Sequence, residues 1–263
     1  MSKQRKKRSI LPIIIVLILV GLVLISACIF GYRYIKNHGE SDTSAVSATT
    51  DVADTATSAE QDPLGTVEDA SYYQVINRSH PIPENYIAGT GQLVEVEGGQ
   101  QLETKAGEAF TAMVTALHEA GLPIVVHTGY RSDDLQAYFY NNQINKQNGD
   151  ERKAATISAV PLTSEHQAGL AIDLSVDDGL EATFADTETG QWLEAHCAEY
   201  GFILRYIPGK ERITGIIAEP WHFRYVGSPE LATDIMASGL CMEEYFNQYL
   251  EPEDIDPYLP YLP

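Results

Sequence analysis

The sequence predicts an α+β domain. Strand-length apolar runs and helical-period segments alternate irregularly along it, without the succession of βαβ units that builds a doubly wound sheet. No internal repeat is present. The part beyond residue 66 is long enough to bury a substantial core without disulfides or a structural metal.

Residues 1–9 carry Lys3, Arg5, Lys6, Lys7 and Arg8, and residues 10–31 form an apolar run about long enough to cross a bilayer core of ~30 Å. Basic residues on the N-terminal side hold that end in the cytoplasm. The expectation is a single-pass membrane protein with the remainder extracellular. Ile25–Cys28 also resembles a lipoprotein cleavage box. Ile29, Phe30, Tyr32 and Tyr34 continue the apolar character past it, which favours an uncleaved signal anchor. Both readings give the same topology. Residues 32–66 are rich in Ser, Thr, Ala, Asp and Glu, with almost no large apolar side chain from Asn37 on, and predict a disordered extracellular tether.

Residues 67–250 predict the globular domain. Tyr72–Ile76 reads as a short strand, and Pro81 and Pro83 make the next piece extended. Leu102–Ala120 has Ala109, Met113, Ala116 and Leu117 at helical spacing, with Gly121 as its stop. Leu122–Val126 reads as a buried strand that delivers Gly129-Tyr130-Arg131-Ser132 to its end. Asp133–Lys146 reads as helix, with Leu135, Tyr138 and Phe139 on one side, and Gln147–Thr156 as a polar loop. Further strands fall at Ala168–Leu174, Phe202–Tyr206 and Trp221–Val226. Further helices fall at Gln191–Tyr200, from Pro229, and at Met242–Leu250. Residues 251–263 are an acidic, Pro-rich tail.

The formal net charge of −20 argues against nucleic acid as a partner, since phosphate binding needs Lys and Arg. Cys197 and Cys241 read as two buried free thiols, because a domain of this size does not need a disulfide.

Chemistry concentrates in Ser164-Glu165-His166-Gln167-Ala168-Gly169-Leu170-Ala171-Ile172-Asp173 and in Glu219-Pro220-Trp221-His222. Two histidines and an aspartate suit a catalytic zinc, which takes three protein ligands and leaves a position for water. His166 and Asp173, seven positions apart, fit a loop leading into a strand, with Gly169 supplying the bend. Alone, the pair reads equally as a surface histidine and a strand-end aspartate. Pro220 forces Glu219 into an extended conformation. Glu219 and His222 then point to opposite faces unless a kink beside Pro220 turns both to one site; that kink is expected. Trp221 reads as a core aromatic that also walls the site and excludes water. Arg131, at a strand end facing a cleft, suits a substrate carboxylate or an oxyanion, and equally an ordinary ion pair with one of the many acids.

The run SEHQAGLAIDL resembles the SxHxxGxAxD pattern of the VanY-type D-alanyl-D-alanine carboxypeptidases, zinc peptidases of bacterial cell walls. Ile213-Thr214-Gly215 with Glu219–Gly227 (EPWHFRYVG) is similar to that family's second motif, and Gly129–Ser132 with Gln136 to its upstream motif. The resemblance covers about Tyr72 to Leu250. It implies a small antiparallel sheet flanked by helices. It also implies one Zn²⁺ held by His166, Asp173 and His222, Glu219 as general base, and Arg131, Gln136 and Ser164 as the grip on the terminal D-alanine. The implied activity is removal of the C-terminal D-alanine from peptidoglycan stem peptides, as a DD-carboxypeptidase on pentapeptides or an LD-carboxypeptidase on tetrapeptides. The rival expectations are a peptidoglycan endopeptidase and a non-catalytic wall-binding module.

Overall fold

The computed structural model describes residues 62–263. The expected anchor and nearly all of the expected tether lie outside them. Among the described residues no helix is long and apolar enough to cross a membrane. The last tether residues are ordered: Pro63–Thr66 form a 3₁₀ turn, and Thr66 Oγ1 lies 2.6 Å from Ser228 Oγ.

The first strands form a hairpin that the periodicity did not reveal. β1 (Leu93–Val96) pairs antiparallel with β2 (Gln100–Glu103) across Gly98 and Gly99, whose φ values of +75° and +67° suit glycine. α1 (Thr104–Glu119) follows at once. The helix starts two residues later than Leu102 because Glu103 caps it, accepting from the N–H groups of Lys105 (2.8 Å) and Ala106 (3.2 Å). One stripe of α1 is buried: Ala106, Phe110, Met113, Val114 and Leu117.

β3 (Val125–Thr128) leads through Gly129–Ser132 into α2 (Asp133–Lys146), which Ser132 Oγ caps by accepting from Leu135 N at 3.2 Å. The stretch read as a polar loop contains a short helix, α3 (Glu151–Ala155). A 3₁₀ turn over Glu165–Ala168, closed by Gly169 at φ +73°, precedes β4 (Ala171–Ser175). Then come α4 (Glu188–His196), β5 (Phe202–Tyr206), α5 (Glu211–Thr214) and β6 (Glu219–Tyr225). α6 (Pro229–Ser238) opens with proline in its first turn, as expected, under a Ser228 cap. α7 (Met242–Tyr245) and α8 (Pro252–Ile255) follow, and a 3₁₀ turn over Leu259–Tyr261 comes last.

The strand expected over Leu122–Val126 is displaced to Val125–Thr128, and two other expected elements are shorter or absent. Tyr72–Ile76 is not a strand: the Arg224 guanidinium donates to the carbonyls of Tyr72 (2.9 Å) and Gln74 (3.1 Å), so these acceptors serve a side chain instead of a ladder. Its apolar character reflects burial of Val75 and Ile76. The helix expected over Met242–Leu250 stops at Tyr245, and Asn247 turns left-handed at φ +53°.

The main sheet is antiparallel, in the order β3-β4-β6-β5. Alternation along its strands separates two faces. Leu170, Ile172 and Leu174 before and on β4, Phe223 and Tyr225 on β6 and Phe202 on β5 join the α1 stripe in one apolar core. The opposite face presents Asp173, His222, Arg224 and Arg205, all buried. Cys197 and Cys241 are buried free thiols, as read.

The acidic tail is part of the folded unit. Arg78 donates to Asp254 O (2.9 Å) and lies 4.0 Å from the centre of the Tyr258 ring. Its other nitrogens donate to Ala155 O (3.3 Å) and Gly215 O (3.4 Å), and Leu262 is buried.

Gly169 couples the hairpin to the turn before β4: its carbonyl accepts from Glu103 N at 2.8 Å, and a Cβ on it would meet that nitrogen at 2.9 Å. Gly169→Ala is expected to cost about 1–2 kcal/mol from the left-handed backbone alone, and more from the contact. Urea unfolding of the two proteins measures it.

Candidate active site

Asp173 and His222 are brought together by strand pairing, since they are direct partners across β4 and β6. His166 reaches them from the 3₁₀ turn before β4. Asp173 Oδ2 lies 3.3 Å from His166 Nε2, and Asp173 Oδ1 lies 3.1 Å from His222 Nδ1. The two imidazoles meet edge to face, centroids 4.9 Å apart. One ligand atom from each residue falls within 4.8 Å of the others. Two imidazole nitrogens and a carboxylate oxygen so converged form the donor set that a zinc ion takes. The second nitrogen of each histidine is occupied. His166 Nδ1 donates to Gly129 O at 2.8 Å, and His222 Nε2 lies 3.1 Å from Glu165 Oε2.

The kink expected beside Pro220 is present as a change of register. Leu204 pairs with Phe223 but Tyr206 pairs with Glu219, so β6 holds two extra residues between those rungs. Glu219 thereby comes to the face of His222, with Oε2 at 3.8 Å from Nδ1. A smaller irregularity between Val126 and Thr128 on β3 sets Thr128 opposite Asp173.

Burial dominates the electrostatics. Desolvation pushes Glu219 up to about 8, with the Asp173 and Glu165 charges adding to it against His222 and Arg131. Burial pulls His166 down to about 4, and the Arg131 charge acts in the same direction. Burial opposes charge on His222 too, but hydrogen bonds to Asp173 and Glu165 overcome it and raise His222 to about 9. Asp173 is held well below its ordinary value despite burial, by His166, His222 and Arg131.

Arg131 lines the cleft with its guanidinium fixed on three sides. Nε donates to Thr128 Oγ1 (3.2 Å), Nη1 to Gln136 Oε1 (3.2 Å) and Nη2 to Asp173 Oδ2 (2.7 Å). The acid it pairs with is therefore itself a member of the triad. Gln136, expected to grip substrate, is fully buried behind Arg131, and its amide nitrogen donates to Ala159 O at 2.7 Å. Both polar atoms of Gln136 are thus engaged within the protein, and one of them anchors Arg131. Ser164 and Trp221 line the cleft, and Trp221 also packs on the main core.

Sequence reading missed the layer behind the triad. Glu165 accepts from Arg205 Nε (2.7 Å) and Arg224 Nη1 (2.7 Å). Arg205 in turn makes a two-pronged pair with Glu243, at 2.9 and 2.7 Å. All four side chains are fully buried. The available signal was an arginine between apolar or aromatic neighbours in both strands, Leu204-Arg205-Tyr206 and Phe223-Arg224-Tyr225. Tyr206, also missed, packs its ring at a tilt against His222, centroids 4.9 Å apart.

The triad and Glu219 lie in an open cleft of about 890 Å³, walled by α2 through Tyr138 and Phe139, and by Ile157–Ala159 and Ile216–Ile217. Among the described residues, none of 251–263 lines it. A His-Asp-His donor set beside a buried glutamate in such a cleft defines the class: a one-metal hydrolase site on an α+β scaffold. Comparison with known proteins narrows the class. Residues 99–228 match the model of VanY, D-alanyl-D-alanine carboxypeptidase. A D-alanyl-D-alanine carboxypeptidase of Enterococcus faecalis is 36% identical over 180 residues, which are 66% of this chain and 65% of the relative. The chain thus spans about two thirds of that relative's length. A variant of the vancomycin-resistance D,D-pentapeptidase VanY in complex with Zn(II) superposes with TM-score 0.59 at 34% identity, covering 67% of this chain and 99% of that one. The LdcB LD-carboxypeptidase superposes with TM-score 0.59 at 35% identity, covering 66% and 85%. The chain belongs to the VanY family of D-alanyl-D-alanine carboxypeptidases.

Because His222 is protonated below about pH 9 in the metal-free protein, a metal must displace that proton. Zinc binding at pH 7 is expected to release at least one proton, and zinc affinity to rise with pH up to about 9. Calorimetric titration in buffers of differing ionisation enthalpy counts the protons.

Proposed function

We propose that the chain is a membrane-tethered, zinc-dependent carboxypeptidase that removes the C-terminal D-alanine from peptidoglycan stem peptides on the outer face of the cell membrane. The observation that carries the reading is the convergence of His166, Asp173 and His222 on one point of the cleft, with Glu219 beside them. The zinc-containing VanY relative supports the metal, and the basic-then-apolar N-terminus supports the tether.

His166, Asp173 and His222 hold the ion, which when bound lowers the pKa of water towards ~7 and polarises the scissile carbonyl. Glu219 takes the proton of the attacking water and returns it to the departing D-alanine amine. In the metal-free protein this carboxyl keeps its proton to about pH 8; beside a dication it ionises more readily. Arg131, immobilised by Gln136 and Thr128, receives the substrate's terminal carboxylate or the charge of the tetrahedral intermediate, with Ser164 adding a hydroxyl. Trp221 excludes water from one side.

A second reading, LD-carboxypeptidase action on tetrapeptides, is favoured by the LdcB likeness, as close as that to the D,D-pentapeptidase. Free pentapeptide and tetrapeptide stems incubated with the zinc-loaded protein separate the two by mass spectrometry. Alanine loss from the pentapeptide alone marks a DD enzyme, and loss from the tetrapeptide an LD enzyme. Loss from neither, with zinc bound, moves the weight to an endopeptidase or a binding module.

Glu219→Gln is expected to retain zinc and peptide binding while kcat falls by roughly 10²–10⁴. A variant within tenfold of wild type would remove Glu219 from the role of base. His166→Ala is expected to lose stoichiometric zinc in metal analysis of the purified protein.

A further inference from the structure

We infer that Glu165 is a positioning residue for the metal site: its carboxylate fixes the tautomer and the plane of the His222 ring, so that Nδ1 is the nitrogen offered to the ion. This rests on the reading of His222 as a metal ligand. Glu165 Oε2 lies 3.1 Å from His222 Nε2, on the far side of the ring from Asp173. A carboxylate accepts only, so Nε2 carries a proton and donates it, which leaves the lone pair of neutral imidazole on Nδ1. The carboxylate cannot turn away, because Oε1 accepts from both Arg205 Nε and Arg224 Nη1 at 2.7 Å. Those guanidiniums are themselves anchored, Arg205 on Glu243 and Arg224 on the carbonyls of Tyr72, Gln74 and Tyr225.

The chain position adds to the geometry. Glu165 immediately precedes His166 in the same 3₁₀ turn. That turn therefore places His166 directly through its own side chain, and His222 indirectly through the neighbouring carboxylate. The two second-nitrogen partners differ in kind. His166 has a neutral carbonyl, that of Gly129, while His222 has a buried anion. Anionic partners of a ligating imidazole raise its basicity as well as orient it.

The test compares Glu165→Gln with Glu243→Gln. Each removes one negative charge from the carboxylates around Arg205, but only the first touches His222. Zinc affinity is read by competition with a chromophoric chelator, with thermal melting in parallel. The expected result is a 10–100-fold weaker zinc affinity in Glu165→Gln and less than a threefold change in Glu243→Gln. Equal zinc affinity in the two folded variants would overturn the inference. Should Glu165→Gln fail to fold, the zinc-loaded wild type decides. A slowly exchanging, downfield imidazole N–H resonance assigned to His222 Nε2 is expected in ¹⁵N-histidine-labelled protein, and a spectrum without it overturns the inference. Wild-type protein that binds no zinc at all overturns the metal reading itself, an outcome distinct from both.

Discussion

Two arginines and two glutamates are sealed behind the catalytic face of the sheet, and their charges have to cancel there. Arg205, Arg224, Glu165 and Glu243 are fully buried, so none can be neutralised by solvent. Losing one partner from such a group strands a charge at a cost of about 3–5 kcal/mol. The four residues come from β5, β6, the turn before β4, and α7. Those elements are therefore tied together on this face by the ion network, while the apolar core on α1 holds the other. The hydrophobic face gives the fold its stability. The charged face gives it a particular geometry at one place, which is where His222 stands.

The site also depends on departures from regular strand geometry. Adjacent pairing delivers Asp173 and His222 without special devices. Glu219 is three residues from His222, and in a regular strand the two would face opposite ways. The two extra residues of β6 between the rungs at Phe223 and Glu219 remove that conflict. On the other edge, the β3 irregularity turns Thr128 towards Arg131, whose guanidinium it accepts from. The two irregularities thus act on Glu219 and on Arg131 separately, while Asp173 and His222 sit on the regular stretch between them and His166 on the turn before β4.

Much of this was legible from the chain. The period of α1, the Pro220 constraint and the motif residues were local signals, and the structure brings His166, Asp173, Glu219 and His222 to one point. The hairpin of β1 and β2 escaped because its short, half-exposed strands have little apolar contrast. Tyr72–Ile76 misled because burial and strand formation leave the same mark on so short a run. The contacts of Gln136 with Arg131 and Ala159 were not legible, since sequence carries no sign of which partners a buried amide takes. The buried ion network joins residues far apart in the chain, and each member alone reads as an ordinary surface charge. Only the arginines flanked by apolar and aromatic neighbours hinted at it.

The clamp around Arg78 makes one wall of the cleft depend on a segment remote from it in the chain. Arg78 stands near the beginning of the folded unit, while the Asp254 carbonyl and Tyr258 ring that hold it arrive at its end. Arg78 also supports Ala155 and Gly215, the backbone just before the Ile157–Ala159 and Ile216–Ile217 walls of the cleft. The brace for that wall thus joins two segments 176 residues apart in the chain. Loss of the Asp254–Tyr258 segment would therefore loosen a cleft wall that the segment does not itself line.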